Sequence, residues 1–423
     1  MKKSIFLLFI CLIFIPCVYA QDAWRMPDRG FEIGLNANAG FSNNFLNAFD
    51  IFQETIIIDL DKLKDGFNFN MDFGLVPFYF QYNNKDYDWG FGLSLKTDFY
   101  GIFALSGDIL SFAETENNKD TNISGAMFLE ANLNAYFPIW KFKVKAAPSA
   151  FLPVVYIDSA ESFVSYTNVA ANGGETKFNL LYDVYLYTPI SLQPFFSAES
   201  PDNLNIDYTG IFGMFGFDIN FGLEFPLGEA LGLTKTSNLL NFTLGLDVYN
   251  FPILPAKIQN YTRYSGQIGS DEPFNIFGNE DVLSVLLGED EMSLEPEFGT
   301  VKEFKEIYRP IKINLWVDWK PFGDILTFTP VGGVSIYRTL DNDKVLLDPV
   351  FDYGLKARLD LGNIFILSFG TGYFDSLWKN SLDITLNFRL LEINVGIDLR
   401  APDFIESWKG AGVGVNVGLK FGW

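Results

Sequence analysis

Charged side chains recur two residues apart in several segments that are otherwise apolar or built of small residues. Lys143 and Lys145 form one such pair, and Lys356, Arg358 and Asp360 form a run of three. Side chains at positions i and i+2 of a β-strand point to the same face, so each group would line one surface of a strand. Ammonium, guanidinium and carboxylate groups placed this way can pair with one another or bind an anionic solute.

The candidate interior residues share a charge and a place on the polar face of a predicted strand. They are Lys143, Lys145, Lys312, Lys356, Arg358, Asp360, Arg389 and Arg400. Acidic and basic residues occur in comparable number on these faces, which favours a mixed network of ion pairs over a filter of one sign. A second interpretation groups the basic residues of the late strands into one stripe for an anionic head group. That stripe would comprise Lys356, Arg358, Arg389 and Arg400.

Several kinds of chemistry are excluded by composition. The chain has no histidine, and its two cysteines, Cys11 and Cys17, lie within the first 20 residues. Residues 21–423 therefore cannot form disulfides, zinc sites built on Cys or His, or catalytic triads with an imidazole base. Carboxylate-only glycoside hydrolysis remains chemically open, but among 52 Asp and Glu residues a carboxylate pair carries no signal. The sequence predicts a protein that is not an enzyme and needs no cofactor or metal.

Most of the chain divides into strand-length segments that alternate apolar with polar or small residues. The segments are Phe31–Phe41, Phe67–Leu75, Trp89–Phe99, Met127–Phe137, Phe142–Val154, Phe178–Leu186, Phe215–Phe225, Phe242–Val248, Ile311–Trp319, Phe328–Ile336, Phe351–Leu361, Phe365–Tyr373, Leu382–Leu390, Ile393–Leu399 and Ala411–Trp423. Strands of about ten residues with this alternation can cross a bilayer at a tilt, whereas strands of soluble sheets are usually nearer five or six. The alternative is a secreted acidic β-protein with a large aromatic core. The net charge of −22 argues against a nucleic-acid partner.

The predicted fold is all-β: a single transmembrane antiparallel up-and-down β-barrel with long extracellular loops and short periplasmic turns. Counted back from Trp423, the connections alternate between long and short, as such a barrel requires. Counted forward from Phe31, the alternation needs one more strand, for which Ile190–Ser197 or a division of Trp89–Phe112 are the candidates. The prediction is an even number of 14 to 16 strands.

The amino-terminal residues have the layout of a secretory signal peptide. Lys2 and Lys3 precede the apolar run Ile5–Ile15, and Val18-Tyr19-Ala20 provides a small-residue exit, so cleavage is expected after Ala20. Cys17 opens a lipoprotein alternative, which the preceding Pro16 disfavours. The expected domains are a signal peptide over 1–20 and a barrel over 21–423, in the outer membrane of a diderm bacterium.

Two regions lack the two-residue period. Asp50–Asp65 lies between the first two predicted strands and suits a helical or inward-folded insertion. Phe251–Pro310 is predicted to be a long acidic loop, and loops of that length are usually functional or disordered. Such a loop would either constrict the barrel mouth or lie outside as a solvated flap.

The last thirteen residues carry an assembly signature. Apolar side chains alternate with small or polar ones from Ala411 to the terminal Trp423. This segment resembles the closing strand of bacterial outer-membrane barrels, whose terminal aromatic and alternating apolar positions are read by the barrel-assembly machinery. The resemblance implies an assembly signal formed by Val417, Leu419, Phe421 and Trp423, with that machinery and outer-membrane lipid as partners.

A wider resemblance covers about the first hundred residues. The insertion around Ile56–Leu63, an Asn- and Phe-rich second strand and the segment Trp89–Leu95 resemble uncharacterised outer-membrane barrels distantly related to long-chain fatty-acid transporters. The resemblance implies a 14-stranded barrel occluded by an inward plug, for which Asp50–Asp65 is the candidate. The predicted function is passive transport of a small solute, hydrophobic or anionic. The alternative is a non-transporting surface adhesin or antigen anchored by the barrel.

Overall fold

The computed structural model describes most of the chain beyond the first 28 residues. The described residues are 29–44, 66–84, 88–106, 117–159, 161–170, 176–197, 210–235, 237–269, 296–341 and 344–423. The predicted signal peptide and the predicted insertion Asp50–Asp65 lie outside these described residues.

Strands make up nearly all of the described residues. In chain order they are β1 (Phe31–Asn43), β2 (Gly66–Asn84), β3 (Trp89–Ser106), β4 (Asn117–Ile139), β5 (Phe142–Ile157), β6 (Phe163–Ala170), β7 (Thr176–Thr188), β8 (Gly216–Phe225), β9 (Phe242–Leu254), β10 (Ala256–Gly269), β11 (Glu297–Ile307), β12 (Ile311–Trp319), β13 (Pro321–Asp324), β14 (Leu326–Asp341), β15 (Lys344–Leu361), β16 (Phe365–Phe374), β17 (Leu377–Phe388), β18 (Leu391–Ala401) and β19 (Gly412–Gly422). The connections contain short helices, which are α1 (Gln193–Ser197), α2 (Leu227–Ala230) and α3 (Phe404–Trp408).

The strands form one closed antiparallel barrel. β1 pairs with β2 on one side and with β19 on the other, which closes the ladder. Four wall positions are each filled by two consecutive strands that run in the same direction: β5 with β6, β7 with β8, β9 with β10, and β11 with β12. Since β13 lies in the turn between β12 and β14, the barrel has 14 strands. The predicted all-β class, antiparallel topology and even strand number are confirmed.

The start of β1 and the end of β19 meet at one rim of the barrel, which we call the terminal rim. There the Phe31 N–H donates to the Trp423 carbonyl at 3.1 Å and the Trp423 N–H donates back to Phe31 at 3.0 Å. The two-residue turns Trp140-Lys141 and Arg389-Leu390 lie at the same rim. The opposite end, where β1 leads towards β2 and β18 leads into α3, is the distal rim.

The strand missing from the forward count is neither of the two candidates. β3 runs unbroken through residues 89–106, and residues 193–197 form the helix α1. Instead, the segments predicted as two antiparallel strands around residues 178–186 and 215–225 are β7 and β8, which follow one another down the same wall position. The alternation of long and short connections is thereby satisfied without a further strand.

The prediction of a loop over the whole of Phe251–Pro310 is wrong. β9 continues to Leu254, β10 covers 256–269, and β11 covers 297–307. The strand period is hidden in this region because the β10–β11 ladder shifts register between Ile258 and Asn260. Residues 270–295 lie outside the described residues.

The two faces of the wall differ in polarity as the alternation predicts. On β19, Val415, Val417 and Phe421 are each more than 40% exposed, whereas Asn416 between them is 8% exposed. The same contrast recurs round the barrel, with Leu133, Leu315 and similar side chains on the outside. An apolar exterior this extensive exceeds what water-soluble monomers show and matches the lipid-facing band of a transmembrane barrel.

Aromatic side chains gather at both ends of this apolar band. At the terminal rim Phe31 stacks on Trp423 at 4.5 Å between ring centroids, and Phe142 stacks on Phe225 at 4.9 Å. Towards the distal rim Trp378 packs edge-on against Phe404 at 4.8 Å. Trp378 and Phe388 lie near the two ends of β17, so a rise of roughly 3.3 Å per residue and a tilt of about 40° separate them by about 25 Å along the barrel axis. This spacing fits aromatic girdles at two membrane interfaces.

Two parts of the wall have contrasting construction. Four neighbouring wall positions are broken at one level, where β5, β7, β9 and β11 give way to β6, β8, β10 and β12; we call this the interrupted wall. Pro189, Pro255 and Pro310 lie at three of these breaks, because a proline has no N–H to continue a ladder. The other part, where β18, β19, β1 and β2 close the barrel, is the closure seam. Its β18–β19 and β19–β1 ladders run without a register shift.

Candidate functional site

A buried arginine at a break in the wall organises the middle of the interior. Arg309 lies at the corner between β11 and β12, and its guanidinium reaches three other wall positions. Nε donates to Asp218 on β8 at 2.8 Å, Nη1 donates to Glu130 on β4 at 2.5 Å, and Nη2 donates to Ser149 on β5 at 2.9 Å. The corner at Pro310 aims this side chain inward, so Arg309 forms a chord across part of the interior.

This group, which we call the Arg309 network, is closely packed. Arg309, Glu130 and Asp218 are each no more than 6% exposed. Asp218 also accepts a short hydrogen bond from Ser149, and the Arg309 guanidinium lies 4.8 Å from the Phe151 ring centroid. Two carboxylates against one guanidinium leave a negative charge whose burial is offset by hydrogen bonds.

A second contact across the interior begins just beyond Arg309, at Lys312 on β12. Lys312 on β12 pairs with Asp375 at 2.6 Å, and Asp375 belongs to the turn between β16 and β17 on another side of the barrel. Tyr337 donates to the same carboxylate at 3.0 Å, and the Asp375 N–H donates to Asp352 at 3.0 Å. Asp375 and Ser376 both have positive φ, of 52° and 66°, as a tight two-residue hairpin turn requires.

Electrostatics at this turn favour the charged form of the carboxyl. Desolvation alone would raise the pKa of Asp375, but the ammonium groups of Lys312 and Lys379 hold it below its ordinary value. A lowered pKa means that the contact stabilises the fold fully above the ordinary aspartate range. That contribution is lost only as the pH falls through the lowered value.

A third charged contact spans the closure seam. Arg400 on β18 donates to Asp398 at 2.5 Å and 2.7 Å, and its Nη1 also donates to Asp72 on β2. The guanidinium crosses β19 and β1 where Gly414 and Gly40 stand, and a Cβ at Gly40 would lie 2.1 Å from it. The two glycines therefore clear the path of an arginine that is 2% exposed.

Below the Arg309 network, towards the terminal rim, further charges are paired. Lys145 on β5 bonds Glu224 on β8 at 2.5 Å, and its ammonium lies 5.9 Å from the Trp316 ring centroid. The Trp316 indole N–H donates to Asp247 at 2.6 Å. The middle and lower interior of the interrupted wall is thus filled by paired polar groups.

Above the Arg309 network, towards the distal rim, the interior becomes aromatic. Phe128 and Phe151 meet edge to face at 5.9 Å on the same inner face as Glu130 and Ser149. They belong to a buried apolar core with Tyr187, Ile258 and other residues. Five tyrosines belong to or pack against this core and form what we call the tyrosine cluster: Tyr100, Tyr156, Tyr185, Tyr187 and Tyr261.

The rings of the tyrosine cluster pack on one another between neighbouring strands. Across the β7–β10 ladder, the ring centroid of Tyr261 lies 5.6 Å from that of Tyr185 and 6.5 Å from that of Tyr187. Tyr187 is 3% exposed, whereas the other four tyrosines are only partly buried. The cluster thus offers aromatic surface above a charged layer, and Phe151 belongs to the core beside the cluster while it contacts Arg309 of the charged layer.

The predicted interior residues are divided among these contacts. Lys145, Lys312 and Arg400 make the ion pairs described above. Arg358 donates to Asp360 at 3.1 Å, and Asp360 also accepts from the Asn363 N–H. Lys143 lies at the terminal rim, 3.8 Å from Asp88, with both side chains largely exposed.

The structure does not bring the predicted basic stripe together. Arg389 lies in the terminal-rim turn with a positive φ of 50°, while Arg400 lies at the distal end of the same strand, β18. At roughly 3.3 Å per residue these two are about 35 Å apart. The guanidinium of Arg400 is also committed to Asp72 and Asp398. Lys356 and Arg358 lie on β15, with Arg358 close to the terminal-rim end of that strand.

Sequence analysis does not identify Arg309, Lys305 or the tyrosine cluster as a site. Arg309 and Lys305 both fall in the segment predicted to be a loop, where no strand period indicates an interior face. The signal that was available is the i, i+2 spacing of Tyr185 with Tyr187 and of Tyr261 with Arg263. Each pair places aromatic or charged groups on one face of a strand.

Fold and interior together define a transmembrane-type β-barrel: a closed antiparallel wall, an apolar exterior with two aromatic girdles, and an interior of paired charges. In the described parts of the chain, no helix is long and apolar enough to cross a membrane. The same parts contain no group of three or more Asp, Glu, His or Cys side chains placed to hold a metal ion.

The chain is similar to several solved structures at low sequence identity. The chain is similar to the P. putida toluene transporter TodX, with 10% identity and a TM-score of 0.43 over 94% of this chain and 91% of that one. It is similar to the Ralstonia pickettii toluene transporter TbuX, with 8% identity and a TM-score of 0.42 over 94% and 90%. A Pseudomonas aeruginosa FadL homologue matches with 8% identity and a TM-score of 0.42 over 93% and 90%.

These structures are named as toluene transporters and a FadL homologue, and the distant resemblance of the sequence is to long-chain fatty-acid transporters. No family model matches the chain, and no curated protein matches it. Because every TM-score given above is below 0.5, the fold assignment depends on the strand pairing of the chain itself.

Proposed function

We propose that this chain is an integral outer-membrane β-barrel that moves a small, largely apolar solute passively. The tyrosine cluster serves as the entry site, and the Arg309 network is the constriction beneath it. The carrying observation is that Phe151 belongs to the buried apolar core that contains or contacts the tyrosine cluster, while its ring also faces the Arg309 guanidinium. An aromatic surface next to a layer of paired charges suits an apolar solute that binds at the surface before it passes the constriction.

The proposed orientation follows from the strand ends. The terminal rim, with its short turns, faces the periplasm, and the distal rim faces outward, as in outer-membrane barrels generally. The apolar exterior and the two aromatic girdles contact outer-membrane lipid. The tyrosine cluster, on the distal side of the Arg309 network, is then reached from outside the cell.

An open, water-filled porin is disfavoured by the burial of interior charges. Lys145 and Asp218 are each no more than 3% exposed, and so are Glu32 and Arg400 at the closure seam on the opposite side of the barrel. Side chains that line a wide aqueous channel would be hydrated. Because the interior cations have carboxylate partners, a solute carried as a bare anion is also disfavoured.

The first test is single-channel conductance of the folded protein in a planar lipid bilayer. We expect no stable nanosiemens steps, since the proposed constriction at the Arg309 network would leave no wide aqueous path. The second test loads the protein into liposomes and follows entry of a small aromatic hydrocarbon and of a sugar of similar size. Faster equilibration of the hydrocarbon alone supports the proposal. Stable open channels, or no acceleration by protein shown to be folded, would contradict it.

A second candidate function is a surface protein anchored by the barrel. It is favoured by the tall distal part of the interrupted wall, where β6, β7, β10 and β11 continue beyond the level at which β8 and β12 begin. Such an extension could present a binding surface to the outside. In the liposome experiment this function predicts equal entry of both solutes with and without protein.

We also propose that Val417, Leu419, Phe421 and Trp423 act as the assembly signal. These residues lie on the outer face of β19, and Trp423 stacks on Phe31 across the seam. Trp423→Ala should lower the amount of folded protein in the outer membrane several-fold while leaving refolding in detergent largely intact. Equal loss in both settings would show that Trp423 acts through stability alone.

A further inference from the structure

The tyrosine cluster already holds two cations of the chain itself. The ammonium of Lys305 lies 4.4 Å from the Tyr187 ring centroid, and the guanidinium of Arg263 lies 5.4 Å from the Tyr185 ring centroid. Lys305 pairs with Asp158 at 2.7 Å and with Glu161 at 2.8 Å. Tyr187 completes the group by donating a hydrogen bond from its hydroxyl to Glu161.

Arg263 repeats this arrangement one step along the strands. Its Nε and Nη2 donate to the two oxygens of Asp183 at 2.8 Å and 2.9 Å, and Nη1 lies 3.2 Å from Glu297. Four carboxylates therefore surround two cations at the tyrosine cluster, which leaves a local excess of negative charge. The chain as a whole, with a net charge of −22, adds to that field.

Aromatic faces combined with carboxylates are the chemistry that recognises organic cations. The face of a tyrosine ring is electronegative and attracts an ammonium placed within about 6 Å, most strongly where water is excluded. Lys305 is in such a place, since its side chain is 11% exposed and Asp158 is 7% exposed. Glu161, at 46%, opens the same group towards solvent.

We propose that the solute taken up at the tyrosine cluster is an organic cation: an amine or quaternary ammonium with an apolar body. The proposal rests on the proposed function, because it assigns the solute class of that entry site. Lys305 occupies the position of the solute's ammonium in the empty protein. When the solute binds, the flexible Lys305 stem swings away and the incoming cation takes its place against Tyr187, Asp158 and Glu161.

An anionic amphiphile would not replace Lys305 but would bind to its ammonium. The two alternatives differ in the sign of one mutational effect. Removing the Lys305 charge vacates the place for an external cation and strengthens its binding. The same change removes the partner of an anion and weakens its binding.

The test compares three probes of similar size on the folded protein in lipid nanodiscs, by calorimetry corrected with empty nanodiscs. The probes are phenyltrimethylammonium, its neutral isostere tert-butylbenzene, and benzoate. We expect the ammonium to bind about tenfold more tightly than the neutral isostere, in line with a cation–π contact in a desolvated place. Benzoate should bind more weakly than either.

Variants then locate the site. Lys305→Met should tighten ammonium binding several-fold, Tyr187→Leu should weaken it by about tenfold, and Tyr187→Phe should retain most of it. Lys143→Met, at the exposed terminal rim, is the matched control and should change nothing. If Lys305→Met fails to fold, the affinities of the three probes for the unaltered protein still test whether the site prefers an organic cation.

Each outcome bears on the proposal. Equal binding of the ammonium and the isostere, preference for benzoate, or weaker ammonium binding by folded Lys305→Met would overturn the organic-cation inference. So would the absence of binding by all three probes. The liposome experiment with the hydrocarbon is independent of these results, so transport of an apolar solute could hold while the cation preference fails.

Discussion

The closure seam and the interrupted wall each contain a buried arginine paired with carboxylates, but the arginine has a different role in each. At the seam, the β18–β19 and β19–β1 ladders are uninterrupted, and Arg400 lies across Gly414 and Gly40 to reach Asp72. In the interrupted wall the ladders stop, and Arg309 extends from a corner to reach Glu130 and Asp218. One arginine reinforces hydrogen bonds that already exist, whereas the other replaces hydrogen bonds that the breaks have removed.

This difference separates stability from function within one barrel. The seam holds its strands by main-chain pairing, by Arg400 and by the Phe31–Trp423 stack, so no single contact carries it. The interrupted wall depends on a few buried side chains, and the breaks make room for the tyrosine cluster. Replacing the buried arginine should therefore have a larger effect in the interrupted wall than at the seam, and ranking the two replacements tests the comparison.

Replacing Arg309 should have the largest effect. Arg309→Met leaves Asp218 buried without its cation and leaves Glu130 with only Lys96, which lies opposite it on β3. Breaking a buried pair in this way costs about 3–5 kcal/mol. We expect the urea midpoint of unfolding in lipid vesicles to fall clearly. We also expect flickering conductance to appear, because the charged layer is opened.

A compensated variant separates the two consequences. Arg309→Met combined with Glu130→Gln and Asp218→Asn removes the unpaired charges and should recover most of the lost stability. Conductance should persist in this triple variant, since the chord across the interior is still missing. A silent triple variant would show that Arg309 is purely structural and would remove the constriction from the proposed function.

The sequence predicts the seam far better than the interrupted wall. The alternation in Ala411–Trp423 sets which side chains of β19 face outward, and Gly414 and Arg400 lie on inward positions as their spacing requires. The breaks were missed because strands that stop and resume look like separate strands or a loop. Pairing of Arg309 with Glu130 joins residues 179 positions apart, and no local pattern encodes such a contact.

Replacing Arg400 should have an intermediate effect. Arg400→Met removes the partner of Asp72 and Asp398, but Asp72 is about one-third exposed and can be hydrated. We expect a loss of about 2–3 kcal/mol in the free energy of unfolding, less than for Arg309. Gly40→Ala tests the same contact from the other side, since its Cβ meets the guanidinium, and should cost about 1–3 kcal/mol. If Arg400→Met destabilised the barrel more than Arg309→Met, the contrast between seam and interrupted wall would be reversed.

The smallest effects come from a matched pair of lysines on β5. Lys145 is buried, and its ammonium lies 2.5 Å from Glu224, which is itself 19% exposed. Lys143, two residues away, is 45% exposed and lies at the longer distance of 3.8 Å from Asp88. Lys145→Met should lower the free energy of unfolding by about 1–3 kcal/mol, because Glu224 keeps only part of its hydration. Lys143→Met should stay within about 0.5 kcal/mol, as exposed ion pairs contribute little. Both lysines lie on the same strand and the same face and have a carboxylate partner, so their main difference is depth in the barrel. Equal effects in urea unfolding would mean that the interior at Lys145 is hydrated after all, and the closed lower half of the interrupted wall would have to be abandoned.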